Sequence, residues 1–276
     1  MRIASAMCFI GHGVFGIITK PIWVNYFGVF GIHSDTAWQL MPLVGVIDLL
    51  LGLAILFYPV RAVFAWLVIW GTVTALLRPL SGEPFAEFIE RAGNFGAPLA
   101  FLVFAGLKIP SVKSLFIPVR DNIQTDTRTM ERLVLCLRVI TFLLIAGHGW
   151  LNLIEKKTFL DIYRSLGFAN PGTTAQAIGL FEIVAAFAIV IRPVRSIVLM
   201  IFCWKVLSEI FYPHYGLFEW IERGGSYGTL LALWFALNIA PHTAGIRFSS
   251  WTNLFFERHN RPALRETISN LNQSGR

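Results

Sequence analysis

The chain has 276 residues, of which 55% are hydrophobic and only 14% charged, with a mean hydropathy of +0.64. Soluble domains carry about 25% charged residues, so a soluble globular enzyme, a disordered tail and a disulfide-knit secreted domain are excluded. The net charge of +7 is read as the basic loops of a polytopic membrane protein rather than as a nucleic-acid surface.

Apolar runs near the ~20 residues that cross a bilayer predict eight spans. The first lies over 3–19. No small-residue cleavage pattern follows it, so it is read as a retained helix rather than a signal peptide. Spans over 39–58 and 60–78 follow, separated by the turn Pro59-Val60-Arg61, where proline breaks the helix. A fourth covers 93–109. The polar stretch 110–132 is read as a cytoplasmic linker. Spans at 138–154, 174–191, 194–212 and 226–243 complete the set, with Pro193-Val194-Arg195 as the second tight turn. The three cysteines, Cys8, Cys136 and Cys203, fall in apolar runs and are read as small hydrophobes.

The two halves match each other. Gly45, Asp48, Pro59, Arg61 and Trp70 find Gly179, Glu182, Pro193, Arg195 and Trp204 at one offset. Glu87-Phe88-Ile89-Glu90-Arg91 matches Glu219-Trp220-Ile221-Glu222-Arg223, and Gly11-His12-Gly13 matches Gly147-His148-Gly149. The expectation is an all-α membrane protein of eight transmembrane helices, arranged as two parallel four-helix-bundle repeats. The first repeat is 1–109, the linker 110–132, the second repeat 133–246, and a basic tail 247–276. Most of the 23 Lys and Arg fall on the side of the termini, the Pro-Val-Arg turns and the linker. Both termini are therefore expected in the cytoplasm, and the tail, with Trp251 and Arg258, against the inner membrane face.

Ionisable groups inside spans are costly and are functional candidates. They are His12 and Asp48 in the first half, and His148, Glu182, Lys205 and Glu209 in the second, with Asn152 one turn after His148. Gly71 and Ala75 stand where the second half has Lys205 and Glu209, so the second half is the more polar. Glu87, Glu90, Arg91 and Asn94 share a helical face, as do Glu219, Glu222, Arg223 and Ser226. They are expected as polar stripes at the outer entrance of each fourth span. Each feature also has a plain reading: a helix-to-helix hydrogen bond for the histidines, an internal ion pair for Lys205–Glu209, and a solvated helix start for the stripes. His148, Glu182, Glu209 and Glu222 are metal-ligand types but have no compact spacing, so no metal site is assigned. No haem-attachment motif occurs. Haem ligation by His12 and His148 would require the two repeats to face one pocket.

Arg138, Gly147-His148-Gly149 and Gly179-Leu180-Phe181-Glu182 resemble the motifs of DoxX-like membrane proteins. The first half gives Arg2, Gly11-His12-Gly13 and Gly45-Val46-Ile47-Asp48, with Asp in place of Glu. The resemblance implies a four-helix membrane unit, here in tandem, and some members look like subunits of quinone-linked oxidoreductases. On that basis the expected site is an outward-opening pocket in the second repeat, in a bacterial inner membrane. His148 would exchange protons and Glu182 orient it. Lys205 and Glu209, with Asn152 and Trp204, would bind a quinone-like or anionic head group, and Glu222 and Arg223 would line the exit. His12, Asp48, Glu90 and Arg91 are the first-repeat counterparts. Quinone is the cofactor this points to, with haem and metal left open, and a partner redox subunit is implied. Two alternatives stand: a small-solute or ion transporter built from parallel repeats, and a non-catalytic assembly or scaffold protein.

Overall fold

A computed structural model describes residues 1–106, 111–119, 126–211 and 216–239, all within one compact unit, Met1–Ala244. Among them there is no β-strand, only an isolated bridge between Val60 and Pro118. The expected tail, 247–276, and the end of the last expected span lie outside the described residues.

The helices of the first half are α1 (Arg2–Ile17), α2 (Trp23–Gly28), α3 (Ser34–Phe57), α4 (Arg61–Leu80), α5 (Ala86–Glu90) and α6 (Ala92–Phe104). Those of the second are α7 (Thr127–Leu153), α8 (Lys157–Ser165), α9 (Pro171–Ile191), α10 (Arg195–Ile210), α11 (Leu217–Glu222) and α12 (Gly224–Ile239). Four helices, α3, α4, α7 and α9, are long and apolar enough to cross a membrane. α1 and α6 are apolar but shorter. α10 and α12, at 16 residues each, would run about 24 Å at 1.5 Å per residue.

Local chemistry sets the ends. The Asp126 carboxylate accepts from the Thr129 N–H at 2.8 Å and caps α7. Pro171 opens α9 behind Asn170, a position where its missing N–H costs nothing. α4 and α10 start at Arg61 and Arg195, as the two Pro-Val-Arg turns predict.

The faces are inverted relative to a water-soluble bundle. On α9, Leu180, Val184, Phe187 and Ile191 are exposed at three- and four-residue spacing, while Ala175, Gly179, Glu182, Ala186 and Ile189 are buried. α3 repeats this, with Leu43, Ile47 and Leu50 outward and Met41, Gly45, Asp48, Gly52 and Ile55 inward. An outward stripe of large hydrocarbon suits lipid, while the inward stripe of small and acidic residues lets a neighbouring helix approach closely. α7 is the most enclosed of the four long helices and packs against α9, α6, α5 and α12.

The halves interlock. α11 packs on α1, and α5 on α7, so the short helix of each half lies against the first helix of the other. A glycine makes each contact. A Cβ on Gly11 would sit 2.6 Å from Glu222 Cα, and one on Gly147 would sit 2.6 Å from Glu90 Cα. α6 and α12 also meet, where a Cβ on Gly93 would lie 2.7 Å from the Ser226 nitrogen. Gly11→Ala and Gly147→Ala should therefore each lower the thermal midpoint of the detergent-purified protein, by about 1–3 kcal/mol of overpacking. Gly28→Ala, which meets nothing within 4 Å, should leave it nearly unchanged. Equal shifts for all three would mean that the interlock does not hold the halves.

Candidate functional site: two histidine–carboxylate pairs and the charges between them

Each half sets a histidine against a buried carboxylate from the neighbouring long helix. α7 and α9 cross so closely that a Cβ on Gly179 would lie 2.7 Å from the Gly149 carbonyl oxygen. That approach brings His148 Nδ1 to 2.9 and 2.7 Å from the two oxygens of Glu182. Glu182 also accepts from Trp204 Nε1 at 2.9 Å and from the Asn152 amide at 3.2 Å. Tyr163 donates to Asn152 Oδ1 at 2.6 Å, and burial pushes the Tyr163 phenol up from its ordinary pKa. Both carboxylate oxygens are thus occupied, as a buried anion requires. An ionised Glu182 accepts from Nδ1 and so orients the ring, with Nε2 on its opposite edge.

α1 and α3 build the counterpart. His12 Nδ1 lies 2.7 Å from Asp48 Oδ2. Asp is one methylene shorter than Glu, and Asp48 Oδ1 is buried with no hydrogen-bond partner among the described residues. Trp70, the match of Trp204, makes no bond to it and lines a cleft instead. Both histidines lie tilted against an aromatic ring of the following short helix: His12 against Trp23 with centroids 4.5 Å apart, and His148 against Phe159 at 4.9 Å.

The two histidines open on different spaces. About 760 Å³ beside His148 is walled chiefly by Phe159, Tyr163, Phe168, Trp204 and Phe211. About 650 Å³ beside His12 is lined by aromatics together with Arg78, Arg91, Asn94 and Glu222. A third, much smaller gap of about 10 Å³ is lined by Glu90, Arg91, Asn94, Glu222, Arg223 and Ser226 between the halves.

Those charges form one network. Arg91 Nη1 bonds Glu90 at 2.6 Å and Glu87 at 2.8 Å, while Lys156 also pairs with Glu87. Lys205 Nζ lies 2.6 Å from Glu209 and 3.8 Å from Glu90. Arg223 lies 3.4 Å from both Glu90 and Glu209, and Tyr227 donates to Glu209 at 2.5 Å. Burial would raise the pKa of Glu90, but Arg91, Lys205 and Arg223 outweigh it and hold the carboxyl well below its ordinary value.

Several expectations need correction. Glu87 and Glu90 are buried, and the polar stripes are not continuous, because the helix breaks at Arg91 and again at Arg223. The break turns α5 and α11 into separate short helices that reach across to the other half. For that reason Glu222 lines the His12 cleft and the central gap, and Arg223 the central gap, rather than the exit of the His148 cavity. Lys205 and Glu209 line neither histidine space. Their charges are spent on each other and on the network. Asn152 braces Glu182, and Trp204 both braces it and lines the His148 cavity.

Among the described residues His12 and His148 line different spaces, not the one pocket that joint haem ligation would require. Among the described residues no three His, Cys, Asp or Glu side chains cluster as metal ligands. Sequence reading placed Asn94 in a polar stripe but missed Trp70 and Arg78 as lining groups of the His12 cleft. Trp70 carried a usable signal in its match to Trp204, whereas Arg78 stands opposite Tyr212 and has none. No protein-family model, curated protein or solved structure matches the chain.

Breaking the buried network from one side should cost more than breaking it from both. Lys205→Met alone leaves the Glu209 charge short of a partner and should cost about 3–5 kcal/mol. Adding Glu209→Gln should recover about 1 kcal/mol of that, read by denaturation in mixed micelles. A double variant less stable than Lys205→Met by the full cost of Glu209→Gln would mean that the pair is uncoupled.

Proposed function

We propose that the chain is a DoxX-like integral membrane protein with eight spans in two four-helix repeats, acting as the membrane subunit of a quinone-linked oxidoreductase. Its membrane is a bacterial inner membrane, with both termini cytoplasmic. α1, α6, α10 and α12 serve as the shorter spans beside α3, α4, α7 and α9, and the recurring element order of the halves supports this count. The observation that carries the functional reading is the His148 cavity. An aromatic, mostly hydrocarbon space with one imidazole braced by a buried carboxylate suits a planar, uncharged quinone head group.

Reduction of a quinone to a quinol takes two electrons and two protons. In this reading the electrons come from a partner redox subunit. His148, held at Nδ1 by Glu182 and protonated on Nε2 from the outer side, passes the Nε2 proton to one quinone oxygen, and water from the outer side supplies the second proton to the other oxygen. Glu182 stays ionised and keeps the ring in its donating orientation. Phe159 and Trp204 supply the stacking walls.

A permeation reading has one observation in its favour, the charged gap between the halves. Its acids and bases are largely paired with one another, which leaves it second.

Decylubiquinone should bind the full chain in nanodiscs saturably. His148→Ala should weaken binding about tenfold or more, and Glu182→Gln should do so severalfold while shifting the pH profile of binding. Undiminished binding in His148→Ala would remove the assignment.

A further inference from the structure

The cleft beside His12 differs in chemistry from the His148 cavity. Its lining combines the aromatic residues Trp23, Phe27, Phe30 and Trp70 with Arg78, Arg91 and Asn94. Arg78 uses Nη1 on Glu83 at 3.1 Å and on Glu87 at 3.4 Å. Arg91 uses Nη1 on Glu87 and Glu90. Among the described residues, Nε and Nη2 of both arginines and the Asn94 side chain make no hydrogen bond. A guanidinium offers five N–H donors in a planar fork, so each of these arginines is anchored by one nitrogen and keeps donors to spare.

The acceptors in the cleft are few. Asp48 is turned to His12, and Tyr26 is committed to Glu83 at 2.5 Å. Glu222 is the one carboxylate among the lining residues. Its repeat counterpart Glu90 is gripped by Arg91, Arg223 and Lys205. Glu222 has no ion pair within 4 Å among the described residues, because Gly71 occupies the place that Lys205 holds in the other half. The lining therefore has two guanidinium groups with spare donors against one carboxylate, which favours an anion over a cation.

We propose that the His12 cleft is a second ligand site, for a small carboxylic acid with a planar aromatic body. The carboxylate is held by the spare donors of Arg78 and Arg91, with Asn94 beside them. The ring lies among Trp23, Phe27 and Trp70. Glu222 opposes the ligand charge and limits its affinity. The site stands apart from the quinone reading and does not require it.

Ligand-observed fluorine NMR on the full chain in nanodiscs tests this, with signals from empty nanodiscs subtracted. 4-Fluorobenzoate should bind saturably and 4-fluorobenzylamine should not. Glu222→Gln should tighten 4-fluorobenzoate severalfold. Arg91 also braces Glu87 and Glu90, so Trp70→Leu serves as the variant that spares the ion pairs, and it should weaken binding about tenfold. Saturating decylubiquinone should not displace 4-fluorobenzoate. Preference for the amine, weaker benzoate binding in Glu222→Gln, unchanged binding in Trp70→Leu, or displacement by decylubiquinone would each overturn the proposal. Saturable benzoate binding in a protein that takes up no decylubiquinone would support this site and remove the quinone reading instead.

Discussion

Everything at the centre of this protein depends on two glycine contacts. Where Gly11 meets Glu222 and Gly147 meets Glu90, the backbones approach too closely for any side chain. The approach sets α11 on α1 and α5 on α7. From it follow the burial of Glu90, the reach of Arg223 to both Glu90 and Glu209, and the presence of Glu222 in the first half's cleft. Helices in lipid gain little from hydrophobic attraction to one another. Close backbone packing and the buried charge network supply the cohesion instead.

Each half sets a histidine against an acid, and the surroundings of the two pairs differ. Glu182 reaches His148, Trp204 and Asn152 together, which closes its site around the acid. Asp48, one methylene shorter, reaches His12 and stops, and Trp70 is left as a wall. Lys205 and Glu209 add a buried ion pair on the second side, where the first has Gly71 and Ala75. The outcome is one space that is almost wholly hydrocarbon and aromatic, and another with open donors. Such divergence is cheap in sequence, since a few side chains on a fixed backbone change which chemistry each space accepts.

Much of this was legible in the sequence, and for local reasons. Helices show in apolar runs, two of their starts in Pro-Val-Arg, and the histidine–acid pairs in polar residues stranded among apolar ones, whereas α7 starts at Thr127, inside the stretch read as linker. Matching positions in both halves paired His12 with Asp48 and His148 with Glu182 before any distance was known. The destination of the short helices was not legible. Glu87, Glu90, Glu219 and Glu222 have the spacing of a solvated helix start, and nothing local says that the helix breaks at Arg91 and Arg223. Nor does local spacing say which half a five- or six-residue helix will touch. That choice is made by contacts more than 130 residues apart, such as Arg223 to Glu90. The same blindness made Lys205 and Glu209 read as ligand groups, because their charges are neutralised by partners on other helices.

The exchanged short helices also bear on what each half could do alone. A lone half would leave its first helix without the segment that packs on its glycine, although the described lining of the His148 space comes from the second half alone. Carrying both halves in one polypeptide makes their association independent of concentration.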